Sequence, residues 1–148
     1  MKVSIRNQQR LVKANQQKIT GLLRKALRHL GLRRAEISVL LVSDRRMRVL
    51  NRTYRRVDRT TDVLSFPQTD AGFRLSDAGN HHLLLGDIVI NLHKAKRQAS
   101  EYGTSFHDEL SRLLVHGLLH LIHYDHEINR YQKERMETKE RELTALLK

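Results

Sequence analysis

The chain has 148 residues, no Cys, and 28 Lys and Arg against 16 Asp and Glu. That length suits one domain, residues 1–148, with a real hydrophobic core. The missing Cys excludes a disulfide framework and a thiolate metal site and fits a reducing cytosol. A net charge of +12 favours a polyanionic partner over an acidic-lipid surface.

Lys2, Arg6 and Arg10 interrupt the start and no apolar h-region follows, so no signal peptide is expected. No apolar run approaches the length that spans a bilayer, and no membrane partner is expected. Val3 and Ile5 alternate with polar residues and predict a short first strand. Over residues 15–30, Ile19, Leu22, Leu23, Ala26, Leu27 and Leu30 recur at helical spacing until Gly31. Residues 37–42 read as a second strand. Ser43 or Asp44 then caps a helix carrying Met47, Leu50 and Tyr54. That helix exposes Arg45, Arg46, Arg48, Arg52, Arg55 and Arg56, for most of which a solvated face is sufficient reason. Residues 1–60 hold 17 Lys and Arg against 3 Asp and Glu, a net of +14; residues 61–148 hold 11 against 13, a net of −2. The cationic surface therefore belongs to the first half, and nucleic acid is the partner it suits.

Val63, Leu64 and Phe66 form a short strand stopped by Pro67, the single proline of the chain. Residues 68–81 are polar and Gly-containing, a loop or hairpin tip. Residues 82–92 are the longest apolar run and predict a strand, within which Asp87 is a turn or bulge carboxylate or a partner for a site residue. Residues 93–102 read as a helix ended by Gly103. Thr104 or Ser105 caps the next helix, to about residue 122, with Asp108 and Glu109 at the positive end of its dipole. Asn129 caps a last helix over residues 130–147, whose mixed charges read as a solvated face. The order β-α-β-α-β-β-α-α-α predicts an α+β domain: one mixed four-stranded sheet packed with about five helices, the fourth helix lying on the sheet.

That fourth helix carries the chemistry. Residues 116–126 contain four of the nine histidines. His116 and His120 are four apart, so both imidazoles lie on one helix face and can point at one ion. A third nitrogen comes from beyond the helix end. His126 or His123 could supply it, but a stripe at 116, 120 and 123 spans about 10 Å of axis, too long to converge well. That favours His126. Three histidines with a fourth position held by water is the pattern of a catalytic zinc site at a helix end. An amphipathic helix with satisfied histidines is the bland alternative, since Leu113, Leu114, Leu118 and Leu121 give it an apolar face. The same spacing occurs in metzincin proteases, which need a Glu after the first His; Gly117 stands there and cannot act as a base.

The run His-Gly-Leu-Leu-His-Leu-Ile-His-Tyr-Asp-His at 116–126 resembles the signature of the YbeY family of bacterial endoribonucleases, H-G-x-x-H-L-x-G-Y-D-H. Two further stretches match. Asn51, Tyr54, Arg55, Thr61, Asp62 and residues 63–67 follow N-x-x-Y-R-x-x-x-x-T-D-V-L-S-F-P, and residues 85–90 follow L-G-D-I-x-I. Two positions depart: His123 and Arg56 stand where the family usually has Gly. The resemblance implies a zinc-dependent, single-strand-specific endoribonuclease of the bacterial cytoplasm, acting in 16S rRNA 3′-end maturation and 70S ribosome quality control. It implies RNA and ribosomal particles as partners, rather than DNA, and one Zn²⁺ on His116, His120 and His126. The catalytic groups would be a zinc-bound water and Arg55, whose planar fork matches two phosphoryl oxygens. Asp125 could orient a ligand histidine or shape the turn. A zinc-containing rRNA-binding assembly factor without catalysis, and a zinc hydrolase acting on another substrate, are the competing readings.

Overall fold

The computed structural model describes residues 1–79, 81–124 and 129–148, with Asp77 by its backbone alone. Four strands and five helices follow the expected order: β1 (Lys2–Asn7), α1 (Gln16–His29), β2 (Ala35–Val42), α2 (Asp44–Arg55), β3 (Val63–Pro67), β4 (Leu83–Asn91), α3 (Leu92–Tyr102), α4 (Phe106–Leu121) and α5 (Arg130–Leu146). A 3-10 turn, Leu75–Asp77, sits in the polar stretch before β4.

Local chemistry explains the helix starts. Asn15, Ser43, Asn91, Ser105 and Asn129 each accept the amide of the residue three further on, at 2.8–3.2 Å. Each such cap contributes about 1 kcal/mol by pairing an amide the helix leaves unbonded. Ser105 rather than Thr104, and Ser43 rather than Asp44, are the caps.

The sheet order is β1-β2-β4-β3, with β1–β2 and β2–β4 parallel and β3–β4 antiparallel, so β3 is an edge. Alternation splits the strand side chains between two cores. Ile37, Val39, Leu41, Ile88 and Ile90 meet Leu23 and Leu27 of α1 and Leu114 and Leu118 of α4 on one face. Leu64, Val89 and Val42 meet Met47 and Leu50 of α2 on the other. Helix α4 thus lies on the sheet, as its apolar leucines require, and α2 lies across from it. Gly117 permits the close approach: a Cβ there would stand 2.8 Å from Ile88 Cγ2 and 3.3 Å from Ser65 Oγ. The Ser65 hydroxyl fills that space and donates to the Gly117 carbonyl at 2.9 Å.

Asp87 is the bulge carboxylate. It follows Gly86, at the register shift between Glu36 and Ile37, and accepts the Ser38 hydroxyl on the α2 side of the sheet. It makes no hydrogen bond to a site histidine among the described residues.

Candidate metal centre

His116 and His120 converge. Their Nε2 atoms are 3.1 Å apart, and the rings meet edge to face with centroids 4.6 Å apart. Two nitrogens on one tetrahedral zinc, each at 2.0–2.1 Å, would stand roughly 3.3 Å apart. The pair therefore already has close to the bite that zinc needs.

A carboxylate behind His116 fixes the ring. Glu140 of α5 meets His116 Nδ1 at 2.6 Å, with both side chains about three-quarters buried. A neutral imidazole that donates Nδ1–H to Glu140 would turn its Nε2 lone pair toward His120. A carboxylate–histidine arrangement of this kind is what metal-binding imidazoles use, so the donor set fits the group that the sequence pattern implies.

The end of α4 explains the next residue. His123 has φ 69°, its amide reaches the His120 carbonyl at 3.1 Å, and the Tyr124 amide reaches the Leu119 carbonyl at 2.9 Å. This is the paired closure that ends a helix in a left-handed residue, a position that suits Gly. The His123 ring then turns to residue 69: its Nε2 lies 2.8 Å from Thr69 Oγ1 and 3.0 Å from the Thr69 carbonyl. The Thr69 hydroxyl also bonds the Leu121 carbonyl at 2.8 Å. His123 is thus occupied in tying the helix end to the segment after β3. Tyr124 is buried beneath Arg135 of α5, whose guanidinium carbon sits 4.7 Å from the ring centroid. His126 and Asp125 lie outside the described residues, and with them the third ligand position. Among the described residues no group of three or more His, Asp and Glu side chains is placed to hold a metal ion.

One turn before His116, Arg112 binds buried Glu109 at 2.5 Å and approaches Asp62 at 3.9 Å. Burial opposes the Arg112 charge, but the Glu109 hydrogen bond and the nearby carboxylates outweigh it and raise its pKa. Glu109 lies in the first turn of α4 as expected and also partners this arginine.

Arg55 is the last residue of α2 and is exposed. Among the described residues it makes no hydrogen bond or ion pair. Arg56 after it has φ 59°, so both departures from the family pattern, Arg56 and His123, occupy left-handed helix ends. Arg48 lies in the same basic helix but forms a two-pronged bond to Asp58 at 3.0 and 3.3 Å.

Sequence reasoning missed Glu140 and Thr69. Glu140 is one of several acids on a mixed-charge helix, and only the packing of α5 on α4 singles it out.

A family model described as Endoribonuclease YbeY matches residues 3–148. A relative from Geobacter metallireducens named Endoribonuclease YbeY is 38% identical over 148 residues, covering 99% of this chain and 96% of its own length. Relatives of the same name from Sulfurihydrogenibium and Aquifex aeolicus are 47% and 46% identical, covering 71% and 69% of this chain. Those two matches span 65% and 63% of the relatives' own lengths, just under two thirds. The solution structure of TM1509 from Thermotoga maritima superposes with a TM-score of 0.67 at 24% identity, over 98% of this chain and 88% of that one, which shows the shared fold. The chain belongs to the endoribonuclease YbeY family.

Proposed function

We propose that the chain is a zinc-dependent endoribonuclease that cuts single-stranded RNA, with His116, His120 and His126 as the metal ligands. The observation that carries the reading is the convergence of the His116 and His120 Nε2 atoms at 3.1 Å with Glu140 behind His116. Family membership supports RNA cleavage as the reaction, and the +14 charge of residues 1–60 supports a polyanionic substrate. When bound, zinc would supply a Lewis acid and bring the pKa of a water toward 7. The residues do the rest. Glu140 holds the His116 tautomer, and Thr69 and the left-handed His123 fix where the chain leaves α4. Arg55, with no partner among the described residues, is the counter-charge proposed for the phosphoryl oxygens as negative charge builds there. Gly117 leaves the site without the carboxylate base of a metzincin protease. The biological setting proposed with this chemistry is the cytoplasm, with 16S rRNA 3′-end maturation and 70S ribosome quality control as the process and ribosomal particles as partners.

The test is cleavage of one single-stranded RNA by protein of defined zinc content. Cleavage should rise with zinc occupancy and vanish in His120→Ala. Binding without cleavage at full occupancy would replace the nuclease by an assembly factor that keeps zinc for structure.

A further inference from the structure

On the α2 side of the sheet lies a groove of about 720 Å³ that the metal centre does not use. Its floor crosses all four strands. Leu40, Val89 and Phe66 supply apolar surface, and the Ser38 hydroxyl bonded to Asp87 supplies a polar spot. Helix α2 is one wall, and from it Tyr54 leans edge-on against Phe66 with ring centroids 5.2 Å apart. Tyr54 is 64% exposed, so one face of its ring is open to a ligand. Arg6 of β1 and Arg46 of α2 line the groove, are exposed, and make no ion pair among the described residues.

We propose that this groove is a second nucleic-acid subsite, seating an unstacked base of single-stranded RNA against Tyr54 and Phe66 while Arg6 and Arg46 take the adjoining phosphates. This rests on the nuclease reading above and adds to it a binding site away from the histidines. Three features point to a nucleotide rather than an apolar peptide. The two arginines give the groove's border a positive charge with no internal partner. Aromatic rings on an open four-stranded sheet are a stacking platform that single-stranded RNA exploits and a duplex cannot. The Asp87 carboxylate in the floor would repel a phosphate but accept the exocyclic amine of a base, which sets the base inward and the backbone outward. The position fits as well: Phe66 and Ser65 are neighbours on edge strand β3 with side chains on opposite faces. The β3 edge is thus one route by which a strand of RNA leaving the groove could reach the α4 side.

The experiment pairs fluorescence-anisotropy binding of a labelled single-stranded oligoribonucleotide with single-turnover cleavage, for parent, Tyr54→Ala, Tyr54→Phe, Arg6→Ala and Arg46→Ala. Tyr54→Ala should bind roughly tenfold or more weakly, since a lost stacking partner has effects of that order. Its cleavage rate at saturating RNA, zinc content and Tm should match the parent, and Tyr54→Phe should restore binding. Each Arg variant should flatten the slope of log affinity against log salt by roughly 0.7. Tyr54→Ala binding within twofold of the parent, with cleavage intact, would overturn the groove and leave the nuclease standing. Groove-dependent binding by a parent that never cleaves would uphold the groove and sink the nuclease.

Discussion

Glu140→Gln is the sharpest perturbation of the proposed metal centre, because Glu140 touches a ligand and no metal need touch it. Its carboxylate meets His116 Nδ1 at 2.6 Å. The amide of Gln keeps an oxygen that can accept Nδ1–H but removes the negative charge that makes the ring a better donor. Glu140→Ala removes both. Partners of this kind, lying behind a ligand, are typically worth 10–100-fold in metal affinity, or about 1.4–2.7 kcal/mol. Gln should therefore fall near the low end of that range and Ala near the high end. The fold should tolerate both: Glu140 is partly exposed, and an ion pair at such a site contributes on the order of 1 kcal/mol or less. The assay is a competition titration of zinc against a chelator at pH 7.5, with Tm measured on the same samples. Parent-like zinc affinity in both variants would refute the role of Glu140 and remove the main support for reading His116 as a ligand. Weakened zinc with a collapsed Tm in Gln would instead assign Glu140 to holding α5 on α4.

Three further perturbations separate the remaining roles. If Arg55 meets the phosphoryl group, Arg55→Ala should slow single-turnover cleavage roughly 100-fold at saturating RNA, with Lys rescuing only in part; Arg45→Ala is the control, since Arg48 is held by Asp58, and equal rates for Arg55→Ala and Arg45→Ala would remove Arg55 from catalysis. His123→Gly relieves a left-handed backbone worth roughly 1–2 kcal/mol but loses the Thr69 bonds and adds unfolded-state freedom, so its unfolding free energy should stay within about 1 kcal/mol of the parent. Its zinc affinity should match the parent while His126→Ala loses zinc; the reverse order would make His123 the ligand. The Arg97 hydrogen bond holds the Asp44 pKa down at about 2, so its stabilisation is present above the ordinary carboxylate value near 3.8 and is lost as pH falls from there toward 2. The full shift corresponds to about 2.5 kcal/mol, but solvent screening of this pair leaves about 1 kcal/mol or less. Urea unfolding should show parent more stable than Asp44→Asn at pH 5, with more than half of the gap gone by pH 2.5 as the carboxylate approaches its folded pKa; a gap unchanged between pH 5 and pH 2.5 would assign the loss to packing.

The sequence disclosed most of the fold because its signals are local. Five Asn or Ser caps, Gly31 and Gly103, and the period-2 run of β1 set the element ends to within one or two residues. At the two positions that depart from the family's Gly, Arg56 and His123, the structure shows positive φ, the backbone that Gly adopts most readily. The His116–His120 pair was legible because a four-residue spacing on a helix is itself a distance statement. Glu140 and the Thr69 anchor were not, since both depend on which elements pack together. Their bonds span 24 and 54 residues of sequence, and nothing local marks one glutamate of α5 above its neighbours. The groove was hidden for the same reason, because Arg6, Arg46, Asp87 and Phe66 come from four separate elements.

The unequal charge of the two halves gains a physical meaning from the sheet. Residues 1–60 supply β1, α1, β2 and α2, hence the arginines of the groove; the near-neutral remainder supplies α4 and α5, hence the histidines and Glu140. A divalent ion and a guanidinium about 10 Å apart repel by roughly 0.8 kcal/mol even in water, and more where protein displaces water. Several unpaired arginines beside the histidine pair would therefore oppose zinc binding outright. Placing them on the α2 face of the sheet, with the histidine pair on α4 across it, leaves their attraction for RNA while separating them from the proposed ion. On the α4 side Arg112 lies one turn before His116, and Glu109 and Asp62 offset its charge. By this argument, Glu109→Gln should weaken zinc as well as stability, because it leaves the Arg112 charge with only Asp62, 3.9 Å away, to offset it one helical turn from His116.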